Sequence, residues 1–99
     1  MKPYVIEIVN FKIKPSVKSS DFWKEDTKIQ TDYTSKQPGF INRESGYSED
    51  SNEVLVVVKW KTNTDADASM NKFMKDESVV KFVNMIEPNT MQMKRYLVE

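Results

Sequence analysis

The segment spanning residues 4–13 constrains the fold most, because it is apolar on both of its faces. It is rich in β-branched and aromatic residues and lies between Pro3 and Pro15, a pattern typical of a β-strand. Successive side chains of a strand point to opposite sides of its sheet. One face carries Val5, Val9, Phe11 and Ile13, and the other carries Tyr4, Ile6 and Ile8. Both faces of the sheet therefore need to be covered.

The rest of the chain predicts three more strands and two helices. Apolar residues at helical spacing predict a helix over residues 20–36, capped by Ser19 or Ser20 and ended by Pro38 and Gly39. Thr64 followed by Asp67 is close to a capping box and predicts the start of a second helix. The remaining segments are a hairpin of strands over 40–47 and 53–61, a break in the second helix at 76–78, and a last strand over 91–98.

The order strand, helix, strand, strand, helix, strand is typical of a ferredoxin-like α+β fold, a four-stranded antiparallel sheet with two helices on one face. We expect residues 1–99 to form this single domain. The other face would leave apolar side chains in water over a larger area than monomers usually tolerate. We therefore expect a homodimer that forms through the open face of the sheet.

Composition excludes several classes of function. Without His, the chain can build neither a Ser-His-Asp hydrolase nor a His-ligated metal or haem site. Without Cys, it has no disulfide, no catalytic thiolate and no Cys-ligated zinc. Its two glycines are too few for a phosphate-binding loop or a dinucleotide fingerprint, and its carboxylates match no EF-hand spacing. We expect neither a cofactor nor a metal.

Charge and hydropathy limit which partners the protein is expected to bind and where in the cell it is expected to be. Fifteen basic and fifteen acidic residues balance and are scattered, so nucleic acid is not expected to bind. The longest apolar run, residues 54–58, is far shorter than the roughly 20 residues of a membrane-spanning helix. Glu7 interrupts the stretch that a signal peptide would keep apolar. We expect a soluble, cytoplasmic protein with no membrane partner and a small molecule as its ligand.

Three stretches of sequence carry a resemblance to a known family. They are Gln-Pro-Gly-Phe-Ile-Asn-Arg-Glu at 37–44, Val-Lys-Trp-Lys-Thr at 58–62, and the stretch 73–82 with the closing Met93 and Tyr96. In these stretches the chain resembles the antibiotic biosynthesis monooxygenase family of dimeric α/β barrels. The resemblance extends over nearly the whole chain. The resemblance implies a ferredoxin-like fold, a homodimer, and an activity such as cofactor-independent oxygenation of phenolic or quinol-like compounds.

The haem-degrading branch of that family resembles this sequence less. Its members look like proteins that carry an Asn on the first strand, a Trp on the third and a His on the second helix. This sequence has Trp60, but Asn10 is displaced by one residue, which turns a strand side chain to the opposite face. Val83 stands near the His position and cannot ligate iron. We therefore expect no haem.

The resemblance implies a pocket between the sheet and the helices. Trp60 would form one wall, and Asn10 or Tyr96 would hold a substrate oxygen, which makes these three the candidate catalytic residues. The candidate pocket residues are Phe22, Phe73, Phe82, Arg43 and Asn84. Each has a plainer alternative, core packing for the aromatic residues and a solvated or interfacial position for the polar ones. Arg43 would also suit a cross-strand ion pair with Glu44 or Glu7.

Two functions remain equally open at this point. The first is a cofactor-independent monooxygenase acting on a small aromatic or quinol-type compound, against which the lack of a His base counts. The second is a non-catalytic dimeric α/β barrel that binds a small apolar metabolite, so whether the protein is an enzyme stays open. A third, weaker alternative is a structural module whose interior is filled by its own side chains.

Overall fold

A computed structural model of the protein describes residues 3–50 and 52–99. Its elements, in chain order, are β1 (Tyr4–Lys12), α1 (Ser19–Lys28), β2 (Phe40–Tyr47), β3 (Glu53–Trp60), α2 (Asn63–Phe73), α3 (Val80–Val83) and β4 (Gln92–Val98). The predicted order of elements is confirmed, and every strand end lies within one residue of its prediction.

The four strands form one antiparallel sheet in the order β2-β3-β1-β4, which is the ferredoxin-like arrangement. Helical segments cover the face on which the odd-numbered residues of β1 and the even-numbered residues of β3 lie, and the core forms there. Its largest fully buried side chains are Trp60, Phe11, Phe22, Val5, Val54 and Val79. The predicted α+β fold is confirmed. Among the described residues, no helix is long and apolar enough to cross a membrane.

The first helix has the predicted extent but not the predicted cap. After α1 the chain continues through a π-helical turn, Ile29–Tyr33, and a 3-10 turn, Thr34–Lys36, so the helical segment reaches Lys36 as expected. Its N-cap is Lys18, which makes no side-chain capping bond, so the prediction of a Ser cap is wrong. The helix starts earlier than expected and takes both serines into its first turn.

The start of the second helix is displaced in the same direction. The Thr62 hydroxyl, rather than that of Thr64, accepts a hydrogen bond from the Asp65 backbone N–H at 3.0 Å. The predicted break is confirmed, because α2 ends at Phe73 and α3 begins at Val80 after a short 3-10 turn. A Thr or Ser hydroxyl caps a helix only if it lies where the backbone turns into that helix. For α2 that point depends on where β3 ends.

A type II turn at Pro38 and Gly39 connects the first helical segment to β2. The Phe40 N–H donates to the Gln37 carbonyl at 3.2 Å across the turn, and Gly39 has a φ of 80°. A Cβ at Gly39 would overlap the side chain of Asp65. The position therefore needs glycine both for its backbone angle and for the close approach of α2.

We predict that Gly39→Ala lowers the free energy of unfolding by at least about 1–2 kcal/mol, the usual cost of a left-handed conformation for a residue with a Cβ. Gly46→Ala is the matched control, since a Cβ there meets no atom within 4 Å and Gly46 does not have a positive φ. Urea unfolding followed by circular dichroism measures both. Equal effects of the two substitutions would contradict this account of the turn.

Candidate functional site

A cavity of about 440 Å³ lies between the helix-covered face of the sheet and the helices. This volume is within the range usual for small-molecule sites. Side chains of β1 and β3 form one wall, and residues of the π-helical turn, α2 and α3 form the other. Exposed methionines, Met74, Met91 and Met93, lie where the cavity meets solvent. Since Met is unbranched and flexible, this opening can adapt to ligands of different outline.

Trp60 ends β3 and lies opposite Val5 of β1 and Phe40 of β2. Its side chain lines the cavity and is 2% exposed, and its ring packs edge to face against Phe40 with centroids 6.1 Å apart. Within the described part of the chain, the buried indole Nε1–H has no hydrogen-bond acceptor. Leaving a buried donor unpaired costs about 1–3 kcal/mol, and buried Trp N–H groups usually find a partner. The same burial closes Nε1 to a water-sized atom, so an acceptor could reach it only if the side chains around it moved.

Arg43 lines the cavity from β2, but its guanidinium is already paired. Arg43 Nη2 and Nη1 donate to Asp26 Oδ1 and Oδ2 at 2.7 and 3.3 Å, and the Ser45 hydroxyl donates to Oδ2 at 2.5 Å. The Arg43 and Asp26 side chains are 3% and 5% exposed. Arg43 therefore pairs with neither Glu44 nor Glu7, the cross-strand partners that the sequence offered as an alternative. Asp26 reaches Arg43 from α1, which neighbouring-strand reasoning does not consider.

A second buried carboxylate, Glu7, faces the cavity from the middle of β1. Its Oε2 accepts a hydrogen bond from Arg95 Nε of β4 at 2.8 Å, and Arg95 Nη1 also donates to Asp67 of α2. Burial alone would lower the pKa of Arg95, but its hydrogen bonds to Glu7 and Asp67 raise that pKa above its ordinary value. Arg95 therefore stays charged and joins the sheet to α2 beside the cavity.

Tyr33 lies in the π-helical turn and lines the opposite wall. Its hydroxyl donates to the Ser69 backbone carbonyl at 2.9 Å, which fixes the turn against α2. Burial raises the pKa of the Tyr33 phenol above its ordinary value. The phenol is therefore a neutral, occupied donor at neutral pH rather than a base.

The predicted site residues divide between the cavity and other places. Trp60, Arg43, Phe73 and Phe82 line the cavity, and Asn84 lies at its exposed rim. Phe22 is fully buried, packs against Phe11 and Phe82, and does not line the cavity.

Asn10 and Tyr96 lie on the other face of the sheet. Asn10 is opposite Leu55 and Gln92, and Tyr96 is opposite Ile6. The structure therefore does not bring either of them to Trp60, because a strand side chain one position out of phase points away from the helices.

Sequence reasoning missed Glu7 as a cavity residue. The signal was present, because Glu7 alternates in phase with Val5, Val9 and Phe11 and so belongs to a face that is otherwise apolar. A charged residue within an apolar face is either paired or functional. Among the described residues, no group of three or more Asp or Glu side chains could hold a metal ion.

Comparison with solved structures identifies the architecture. A structure from Bordetella bronchiseptica, provisionally named an antibiotic biosynthesis monooxygenase, matches with a TM-score of 0.79 and 14% identity over 94% of both chains. SnoaB from Streptomyces nogalater, named a cofactor-independent oxygenase, matches with a TM-score of 0.65 and 10% identity over 97% of this chain and 91% of its own. The chain has the fold of the antibiotic biosynthesis monooxygenases.

A third structure with the antibiotic biosynthesis monooxygenase fold, provisionally named for that family, comes from Chloroflexus aurantiacus J-10-fl. It matches with a TM-score of 0.72 and 9% identity over 97% of this chain and 92% of its own. No family model and no curated protein sequence matches the chain. The fold that the resemblance implies is thus confirmed by structures that share it but little sequence.

We predict that Arg43→Met lowers the free energy of unfolding by about 3–5 kcal/mol, because it leaves the Asp26 carboxylate buried and unpaired. The double variant Arg43→Met with Asp26→Leu removes both charges and should recover much of that loss. Urea unfolding of the two single variants and the double variant measures the coupling. Additive effects would contradict a direct buried pair.

Proposed function

We propose that the protein is a cofactor-independent monooxygenase that acts on a small, flat aromatic or quinol-type compound in the cavity beside Trp60. The observation that carries the proposal is the cavity, whose mostly apolar wall includes Trp60 with an indole N–H that has no acceptor among the described residues. A carbonyl, hydroxyl or phenolate oxygen of a bound aromatic compound would complete this hydrogen bond once the side chains that cover Nε1 move aside.

The residues of the cavity suit the chemistry in two ways. Oxygenation without a cofactor needs a substrate anion that can itself give an electron to dioxygen. A donor fixed in a water-poor site stabilises such an anion more strongly than water does. Phe73, Phe82 and the surrounding methionines provide flat and adaptable apolar walls for the ring system. Trp60 would therefore hold the oxygen of the substrate while the apolar walls exclude water.

The structural neighbours support the same class of reaction. SnoaB has this fold and is named a cofactor-independent oxygenase. The likeness covers 97% of this chain but only at 10% identity, so it supports the fold and leaves the substrate to the residues of the cavity.

A non-catalytic binding protein is the second candidate, and one observation favours it. Three polar groups that line the cavity are already paired: Arg43 with Asp26, Glu7 with Arg95, and the hydroxyl of Tyr33 with the Ser69 backbone carbonyl. Groups held in this way are not free to act on a substrate. The size of the cavity argues against the third alternative, an interior filled by its own side chains.

The test is oxygen uptake by the purified protein over a panel of anthrones, naphthoquinols and flavonoid-like phenols, with a chelator present. We expect Trp60→Phe to lower kcat/KM by about 10²-fold, since it removes one anion-stabilising donor and keeps an aromatic ring. Trp23→Phe is the matched control, because Trp23 packs on Tyr47 and does not line the cavity. Chelator-sensitive uptake, or equal loss in both variants, contradicts the proposal. Binding without uptake favours the second candidate.

We also propose that two copies of the chain pair through the open face of the sheet. Neighbouring apolar side chains of β1 and β3 lie on this face: Ile6, Ile8, Leu55 and Val57. Lys59 and Lys94 lie beside them on this face, together with acidic Glu44 and Glu53, so both signs of charge are present there. A second copy would bury the apolar centre and enclose Asn10 and Tyr96 in the interface.

We predict a mass of about twice that of the chain at micromolar concentration, measured by light scattering behind a sizing column. Ile8→Glu places a charge at the centre of the open face and should give a folded monomer, because a buried unpaired charge is costly. Val80→Glu puts the same charge on an exposed apolar position of α3 and should leave the dimer intact. A wild-type monomer would refute the pairing.

A further inference from the structure

The wall of the cavity carries one charge that the protein does not balance itself. The charged residues among the described ones that line the cavity are Glu7, Lys14 and Arg43. Glu7 is bonded to Arg95, and Arg43 is bonded to Asp26. Lys14 forms no ion pair with a described acidic side chain. One positive charge on the wall is therefore left for a ligand.

Lys14 follows the end of β1, and its backbone is held on both sides. Its N–H donates to the Met85 carbonyl at 2.9 Å, and its carbonyl accepts from the Val17 N–H at 3.0 Å. The residue is half-buried. A Lys side chain in such a position packs its apolar stem against the protein and keeps its ammonium group in water. The ammonium group of Lys14 therefore belongs at the mouth of the cavity, where solvent reaches it.

A neutral hydrogen-bond donor lines the cavity next to this position. Asn84 is exposed, lines the cavity and directly precedes Met85, the residue to which the backbone of Lys14 is bonded. Its side-chain amide carries two N–H donors. A carboxylate accepts from both an ammonium group and an amide, and the bond to the charged donor is the stronger. At an exposed mouth the carboxylate also keeps part of its hydration, so its desolvation cost is small.

The acidic side chain of the cavity wall, Glu7, is too distant to repel a carboxylate at Lys14. Glu7 lies five residues before Lys12, the end of β1, which is about 17 Å at about 3.3 Å per residue, and Lys14 lies beyond that end. This distance exceeds the Debye length of about 10 Å at 0.1 M salt, and Arg95 balances the charge of Glu7. The cavity thus has a positive end at Lys14 and a balanced end at Glu7.

The wall next to Lys14 suits an aromatic ring. Phe11 and Phe82 line the cavity with their ring centroids 6.2 Å apart, edge to face. Ile86 lines it too and pairs with Ile13, the residue before Lys14. A flat apolar ring can therefore enter between these side chains while a charged group attached to it stays at the mouth.

We propose that the cavity binds aromatic carboxylic acids, with the ring system inside and the carboxylate held at the mouth by Lys14 and Asn84. The inference rests on the proposed function, since it names a second group on the compound that the same cavity takes. Lys14 is a binding residue here and not a catalytic one, because Trp60 lies toward the other end of β1, opposite Val5. The unpaired charge thus decides which end of the compound enters first.

Equilibrium dialysis at neutral pH with three naphthalenes of similar shape tests the inference without requiring turnover. The probes are 2-naphthoate, the neutral 2-naphthamide and the cationic 2-naphthylmethylammonium. The wild type should bind the naphthoate about tenfold more tightly than the amide, an effect between that of an exposed ion pair and that of a hydrogen bond to a buried charge. It should bind the cation most weakly. High salt should reduce the preference for the naphthoate, because salt screens an exposed pair.

Four variants assign the preference to the mouth of the cavity. Lys14→Met keeps an apolar stem without the charge, so it should bind the naphthoate and the amide equally and the amide as the wild type does. Lys14→Arg should keep the preference. Asn84→Asp places a competing carboxylate at an exposed position and should abolish it. Lys24→Met is the matched control, since Lys24 is an exposed residue of α1 that does not line the cavity.

The outcomes separate this inference from the proposed function. Equal binding of the naphthoate and the amide to the wild type overturns the inference, and so does the absence of binding by all three probes. A preference that survives in Lys14→Met, or that falls equally in Lys24→Met, overturns it as well. Oxygen uptake over the panel of phenols and quinols needs no carboxylate, so uptake without charge selectivity leaves the proposed function standing. Charge-selective binding without uptake supports this inference and favours the binding protein.

Discussion

The antiparallel pairing of β1 with β3 is the constraint on which the rest of the structure depends. Its register sets Val5 against Trp60 and Glu7 against Val58, and it thereby decides which side chains face the helices. A slip of one residue would exchange the two faces, moving Glu7 and Phe11 away from the helices and Asn10 toward them. The strong β-forming sequence of both strands stabilises this register, and the cavity is the space that these strands and the helices leave between them.

Buried charges around the core form short links between elements that are distant in sequence. Asp26 and Arg43 join α1 to β2, and Arg95 joins β4 to Glu7 in β1 and to Asp67 in α2. Each link is directional, so it favours one arrangement of the helices over others that would bury similar apolar area. Outside these links, the Trp60 N–H has no acceptor among the described residues.

Apolar alternation predicted the strand ends to within one residue, and helical spacing predicted the helices. Both patterns arise because the residues of one buried face are apolar. Local polar chemistry was less predictable. Ser19 and Thr64 are suitable caps by residue type, but the positions where helices begin depend on the strands and turns before them. The partner of Arg43 could not be predicted either. It is Asp26 of α1, and helical periodicity does not fix the rotation of a helix about its axis closely enough to say which residue faces Arg43. Asn10 was assigned to the pocket although it alternates in phase with Ile6 and Ile8.

The cavity also makes the stability of the protein a measure of its occupancy. The cavity is open to solvent, so a bound compound removes the apolar side chains of its wall from water. The compound does so only while the chain is folded. Mass action then adds about 2.7 kcal/mol to the free energy of unfolding at a ligand concentration of one hundred times Kd. A rise in the melting temperature of the protein therefore identifies a compound that binds in the cavity.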